Sequence, residues 1–264
     1  MLWHEVQTLW RSRALCWVLT RRDISARYAG TAMGVAWAYV QPLLTMAAYY
    51  LVFDVVFAMR LGEGAPTKAV GAYLIVGMLP WMAFADALTR GMGSLVEAGG
   101  VLQKNALPPL LFPVRAVLAS GLVFAPLMLL LILAYAPQHH FSGALVALPV
   151  LLLLQWLLCM LWGTALAVLA AALRDTVQLV SFALALGIFA SPVLFPMEMF
   201  PAAWRWVLWL NPMTAWVSGY QALLLQGAWP AWPVWVGALA WLATGAVLLD
   251  VLLRRSRDQL VDWL

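Results

Sequence analysis

The chain holds 264 residues, of which 65% are hydrophobic and only 10% charged, and it carries a formal charge of +4. So large an apolar fraction cannot be hidden in the core of a soluble domain, so the composition excludes an ordinary water-soluble protein and points to an all-α polytopic membrane protein. The positive charge is no sign of nucleic acid, because Lys and Arg form no stripe of the kind that tracks phosphates.

Taken in order, Trp3, Val6, Trp10, Ala14 and Trp17 recur at helical spacing while His4, Glu5, Thr8, Arg11 and Ser12 fall largely elsewhere on the wheel. Residues 1–30 therefore read as an amphipathic helix in the cytoplasmic interface and a basic elbow, serving either as an anchor or as a gating or docking element. No cleavable leader is expected, since these residues mix charge with apolar groups and build no continuous apolar core. A bilayer core of about 30 Å requires about 20 apolar residues per helix, which residues 33–57, 69–88, 114–135, 144–172 and 231–253 supply. A sixth stretch, 177–195, is shorter but uncharged, giving six expected crossings. The connection 89–113 is the longest on its side. Its Gly pairs are expected to break any long helix, its prolines Pro108, Pro109 and Pro113 to stiffen the way into the third span, and a short helix to form near residues 94–102. Residues 196–230 are apolar yet interrupted by Pro196, Pro201 and Pro212, which suits two short helices that dip into the outer leaflet and return. The pair Asn211 and Pro212 is a good helix start.

Six crossings put both termini on one side, with Arg11, Arg13, Arg21, Arg22, Arg27, Arg90, Lys104, Arg115, Arg174, Arg254, Arg255 and Arg257, 12 of the 15 basic residues. By the positive-inside rule that side is the cytoplasm, and Arg60, Lys68 and Arg205 lie outside.

Catalytic signals are weak. Lys68 and Lys104 follow Thr67 and Gln103, so no phosphate-binding loop of the Gly-Lys-Ser/Thr type exists and ATP would be handled by a separate protein. His139 and His140 read as a solvated loop pair, Cys16 and Cys159 as packing residues at different depths, and no metal spacing is present. Asp54, Asp86, Glu198 and Asp250 sit at different depths, which disfavours a converging carboxylate site. Asp54, Asp86 and Asp250 are either hydrated interfacial residues or pore-lining or helix-pairing ones. The aromatics Trp37, Tyr39, Tyr49, Tyr50, Phe53, Phe182, Phe189 and Phe195 either line a path along which sugar rings stack or pack against lipid and core.

The residues Arg22, Asp23, Arg27, Gly30, Gly34 and Trp37 through Pro42, then Gly100, Lys104 and Pro108, then Arg174 and Asp175, and finally Ser191, Pro192, Asn211, Pro212 and Thr214 form a pattern. Over essentially its whole length the chain resembles ABC-type polysaccharide export permeases, most closely the O-antigen, capsule and teichoic acid branch. The resemblance implies a type-2 ABC exporter permease in the bacterial inner membrane. It would be a homodimer of six-helix subunits that binds no cofactor itself and works with a dimer of ATP-binding subunits carrying ATP and Mg. It would move lipid-linked polysaccharide, with membrane lipids and periplasmic export proteins as further partners. It also implies a cytoplasmic gate at Arg22, Asp23, Arg27 and Tyr28 for a lipid pyrophosphate, a channel along the aromatics above, and coupling to the ATPase through Ser94, Glu97, Leu102 and Lys104. Gly30 and Gly34 would allow close helix approach. Pro109 and Gln221 stand where many relatives carry a basic residue. The same scaffold serves exporters of drugs or small lipids; a membrane-embedded glycosyltransferase or a non-transporting scaffold are the readings outside transport.

Overall fold

The structure is a computed structural model that describes residues 2–58, 60–62, 65–105, 107–139, 142–256, 260 and 263; Arg257 and His140 lie outside the described residues. Among these residues the chain is helical, with a single isolated antiparallel bridge between Arg60 and Ala69. Eleven α-helices occur: α1 Leu2–Arg11, α2 Arg13–Arg27, α3 Trp37–Tyr50, α4 Val70–Glu97, α5 Gly99–Leu102, α6 Leu111–Tyr135, α7 Ala147–Ala172, α8 Asp175–Gly187, α9 Arg205–Leu208, α10 Met213–Leu225 and α11 Trp232–Ser256.

Among the described residues, five helical stretches are long and apolar enough to cross a bilayer, namely Gly34–Val56, Val70–Glu97, Leu111–Tyr135, Gly143–Ala172 and Trp232–Ser256. The sixth expected span is only partly helical. Its helix, α8, has 13 residues, about 20 Å, and gives way to turns after Gly187. The first span is not uniform either, for α3 continues as a π-helical turn, Leu51–Val56, that closes Phe57 N–H onto Val52 O at 2.9 Å.

Helix α4 is the axis, packing against α3, α6, α7, α8 and α10. At 28 residues, about 42 Å, it is longer than the hydrocarbon is thick. The expectations that the second span ends at residue 88 and that the Gly pairs after it break any long helix are corrected at Gly91 and Gly93: α4 runs unbroken through both to Glu97. Gly91 serves packing instead, since a Cβ there would lie 3.1 Å from the Gly163 Cα of α7, and one on Gly163 2.9 Å from Val117 Cγ2 of α6. Where helices have little hydrophobic drive to associate, such small residues let backbones meet. Gly30 and Gly34 have the other use of glycine. Both sit at positive φ, +78° and +53°, with nothing within 4 Å of an added Cβ, so they turn the chain between α2 and α3 and bring no helices together.

Helix α10 is buried almost all round. Its polar groups reach neighbours: Tyr220 OH donates to Gln155 Oε1 at 2.8 Å, Gln155 Nε2 to Pro80 O at 2.9 Å, Trp216 Nε1 to Leu151 O at 3.2 Å and Gln221 Nε2 to Pro192 O at 2.8 Å. Tyr73 OH of α4 shares the Pro192 carbonyl at 2.6 Å. Asn211 Oδ1 accepts from Met213 N–H at 3.0 Å while its Nδ2 donates to Gly187 O at 2.7 Å, so the expected Asn-Pro helix start also ties α10 to the end of α8.

Gly91→Val should push α4 from α7 and cost about 1–3 kcal/mol, read as a lower thermal midpoint of the purified protein, whereas Gly100→Ala, with open space around it, should leave the midpoint unchanged. Tyr220→Phe should cost about 1 kcal/mol through the unpaired Gln155 oxygen.

Candidate functional site

Three helices converge on one guanidinium. Arg27, in the last turn of α2, has a side chain 6% exposed; its Nη2 lies 3.2 Å from Asp23 Oδ2 and 3.4 Å from Ala116 O of α6, and its Nη1 3.7 Å from Asp86 Oδ2 of α4. Asp86 in turn takes Arg90 Nε at 2.8 Å on Oδ1 and the Ser120 hydroxyl of α6 at 2.6 Å on Oδ2. Nε and Nη1 of Arg27 are buried without a hydrogen bond. Burial, with Arg90 adding repulsion, lowers the Arg27 pKa against the pull of Asp23 and Asp86. An arginine remains charged under such a shift, so the carboxylates are what make its burial tolerable. Of the readings of Asp86, the structure shows helix pairing, with about a quarter of the side chain, 26%, left open.

Beside this cluster a cleft of about 360 Å³ opens between α3, α4 and α6. Its polar end holds Tyr28, Gln41, Asp86 and Arg90, and its walls carry Tyr49, Trp81 and Phe124. Of the expected gate residues, Arg22 is exposed on α2, Asp23 and Arg27 are bound in the ion cluster, and Tyr28 lines the cleft. Of the expected aromatics, Tyr49 faces the cleft and stacks on Phe53 at 6.1 Å, and Tyr39 is half-buried against the core. Trp37, Tyr50, Phe182 and Phe189 are exposed on the outer sides of α3, α8 and the turn after α8. The two sets are not brought together within one chain. Sequence reasoning missed Trp81, Arg90, Phe124 and Ser120. The signal for Arg90 was present as an Asp-to-Arg spacing of four, the same in Asp23/Arg27, Asp86/Arg90 and Asp250/Arg254, which places acid and base on one helical face.

Eleven residues beyond Asp86 on the same rigid helix, the chain turns into α5. Ser94 is buried, donating to Gly91 O at 2.7 Å, and Leu102 is buried in the apolar cluster under this end. Val96, Glu97, Val101, Gln103 and Lys104 form the exposed tip. Of the expected coupling residues, Glu97 and Lys104 thus present themselves outward while Ser94 and Leu102 hold the tip in place. At the other end Asp54, in the π-turn, pairs with Arg60 at 3.2 Å and accepts from Gly71 N–H. Cys16 and Cys159 are buried and free, and burial pushes the Cys16 thiol above its ordinary value. Among the described residues no three metal-ligating side chains converge.

Asp86→Asn takes the carboxylate from Arg90 and leaves Arg27 with Asp23 alone, and should cost up to about 3 kcal/mol, lowered from the fully buried case because Asp86 keeps 26% of its side chain open. Arg27→Met removes the cation with its two unbonded nitrogens and should cost less than Asp86→Asn when the two thermal midpoints are compared.

Residues 14–225 match the ABC-2 type transporter family. The chain is 31% identical over 232 residues, 85% of each protein, to the O-antigen export system permease protein RfbA of Myxococcus xanthus. It is 24% identical over 213 residues, 80% of each, to a protein of the same name from Klebsiella pneumoniae. To the polysialic acid transport protein KpsM of Escherichia coli it is 20% identical over 244 residues, 90% of this chain and 91% of that one. The family match covers the ion cluster, the cleft, the α5 tip and the buried α10, and the chain belongs to the ABC-2 type transporter family.

Proposed function

We propose that this chain is the membrane subunit of an ATP-driven exporter of lipid-linked polysaccharide, working as a homodimer with a separate pair of ATP-binding subunits in the bacterial inner membrane, both termini cytoplasmic. Likeness along most of the chain to permeases named for O-antigen and polysialic acid carries the substrate class. One structural observation favours this reading of the site: α4 runs unbroken from the charge cluster at Asp86 to Glu97, at the base of the exposed α5 tip. A push on α5 by an ATPase would travel along the last three turns of α4 to the carboxylate that holds α2.

In this reading Arg27 and Asp23 fasten the gate helix. Arg22, exposed on α2, and Arg90, partly open beside the cleft, meet the pyrophosphate of the lipid-linked glycan. The exposed aromatic edges of α3 and α8 belong to the face where two copies meet, since both helices are little buried by their own chain. There Trp37, Tyr50, Phe182 and Phe189 would offer a second copy's glycan path the flat surfaces that sugar rings stack on. Residues 196–230 would form the outer re-entrant segment, and α8 with the turns to residue 195 the sixth crossing.

The test is surface and intracellular glycan in cells lacking the gene, complemented with wild type, Lys104→Glu or Arg22→Gln. Wild type should restore surface glycan. Lys104→Glu should leave lipid-linked glycan inside at normal protein level, because it alters the tip without touching the core. Arg22→Gln should lower export several-fold. Unchanged surface glycan in the deletion strain would overturn the polysaccharide reading in favour of a drug or small-lipid cargo, and loss with no internal accumulation would point to synthesis.

A further inference from the structure

A groove of about 540 Å³ runs along a second face of α6, floored by α4 and walled by α7. Leu118, Leu122, Leu129, Leu153 and Trp156 line it, and its few polar atoms are those of Gln155, already bonded to Pro80 and Tyr220, and the Trp156 indole nitrogen beside Gly121. Water inside would find fewer than the two to four partners it needs, which favours an apolar occupant. The lining on α6 extends from Val117 to Ile132, which at 1.5 Å per residue is about 22 Å, longer than the roughly 15 Å of one leaflet's hydrocarbon.

Cations surround one end of this groove. Trp17 of α2 closes it, and Arg13 and Arg21 stand one turn before and after Trp17 on the same stripe of that helix, both exposed. Arg115 lies three residues before Leu118 on α6, its guanidinium 5.1 Å over the Phe112 ring, its Nε buried without a partner, and its charge reaching Cys16 beside Trp17. Among the described residues no carboxylate pairs with Arg13, Arg21 or Arg115, whereas Arg27, Arg90 and Arg254 are all paired.

We propose that this groove is a site for a resident membrane phospholipid with an anionic headgroup, one acyl chain lying between α6 and α7 and the phosphate drawn to Arg13, Arg21 and Arg115 around Trp17. The cations choose the anionic lipid over a zwitterionic one, at about fivefold in affinity per arginine near the surface. They also disfavour a second copy as occupant, because a two-fold contact sets the same patch against itself and would face these arginines with their own kind. The site is separate from the cleft at Asp86 and does not depend on which cargo is moved.

The experiment titrates the full chain, purified in detergent and stripped of lipid, with phosphatidylglycerol and in parallel with phosphatidylcholine, reading retained lipid by native mass spectrometry and the thermal midpoint. Phosphatidylglycerol should be held at least tenfold more tightly and should raise the midpoint. Arg115→Gln should reduce that preference about fivefold, and Arg13→Gln with Arg21→Gln should reduce it further. Ala125→Phe, which fills the groove from an exposed position on α6, should lower retention of both lipids while helical content stays unchanged. Equal retention of the two lipids by wild type, or undiminished retention in Ala125→Phe, would overturn the proposal. Loss of the dimer in Ala125→Phe with lipid retention intact would overturn it too and assign the groove to a second copy. If Arg115→Gln does not fold, the double arginine variant and Ala125→Phe decide alone.

Discussion

A guanidinium can be sunk among apolar helices only if carboxylates follow it, and in this chain Arg27 draws one from its own helix and one from α4. The rest of the arrangement at that end depends on this pairing. Helices α1 and α2 expose an apolar face of Trp3, Val6, Trp10 and Trp17, while Leu9, Cys16 and Leu19 pack into the apolar cluster at this end of the bundle. The ions add a directional tie to that packing, with Ala116 O and Ser120 of α6 completing the hydrogen bonding. Because Asp86 and its partner Arg90 sit on the wall of the cleft, the charges around the α2 tie also set the polarity of the opening between α3 and α4.

The second constraint is the backbone and side-chain hydrogen bonding of α10 and the turns before it. Irregular chain inside an apolar bundle is tolerated only where protein groups satisfy it, and here Tyr73, Gln221 and Asn211 reach the carbonyls of Pro192, Phe195 and Gly187. These bonds satisfy three carbonyls where the chain leaves helical form after Gly187 and returns beside α4 as α10. Rigidity gathers in α4, α6, α7 and α10, joined by the Gly91–Gly163 approach and the Gln155–Tyr220 link. The helices α3 and α8 are left on the margin, apolar and thinly covered, which is where movement or association meets least resistance.

How much was legible beforehand differs from element to element. The apolar stretches, the Trp stripe of α1 and α2, and the Asn211–Pro212 helix start could be read because each rests on composition or on contacts within four residues. The second span was misjudged at its end, since Gly91 and Gly93 look like helix breakers until α7 places Gly163 opposite Gly91. Gly30 and Gly34 look like a close-approach pair until the backbone shows them at positive φ with nothing opposite. Arg27 invited a gate role, yet its partner Asp86 is 59 residues away, and no local rule joins them.

The sequence by itself determined that this is a helical membrane protein, where its apolar helices fall, and which family it resembles, because hydrophobic length and local capping are properties of short stretches of chain. Only the tertiary structure decided that Asp86 joins α4 to α2 while part of its side chain stays open to the cleft, that Ser94 and Leu102 are buried beneath the exposed tip of α5, and that Tyr49, Trp81 and Phe124 share one cleft. Those outcomes depend on which helix faces which, and that is settled by packing and charge neutralisation across the bundle.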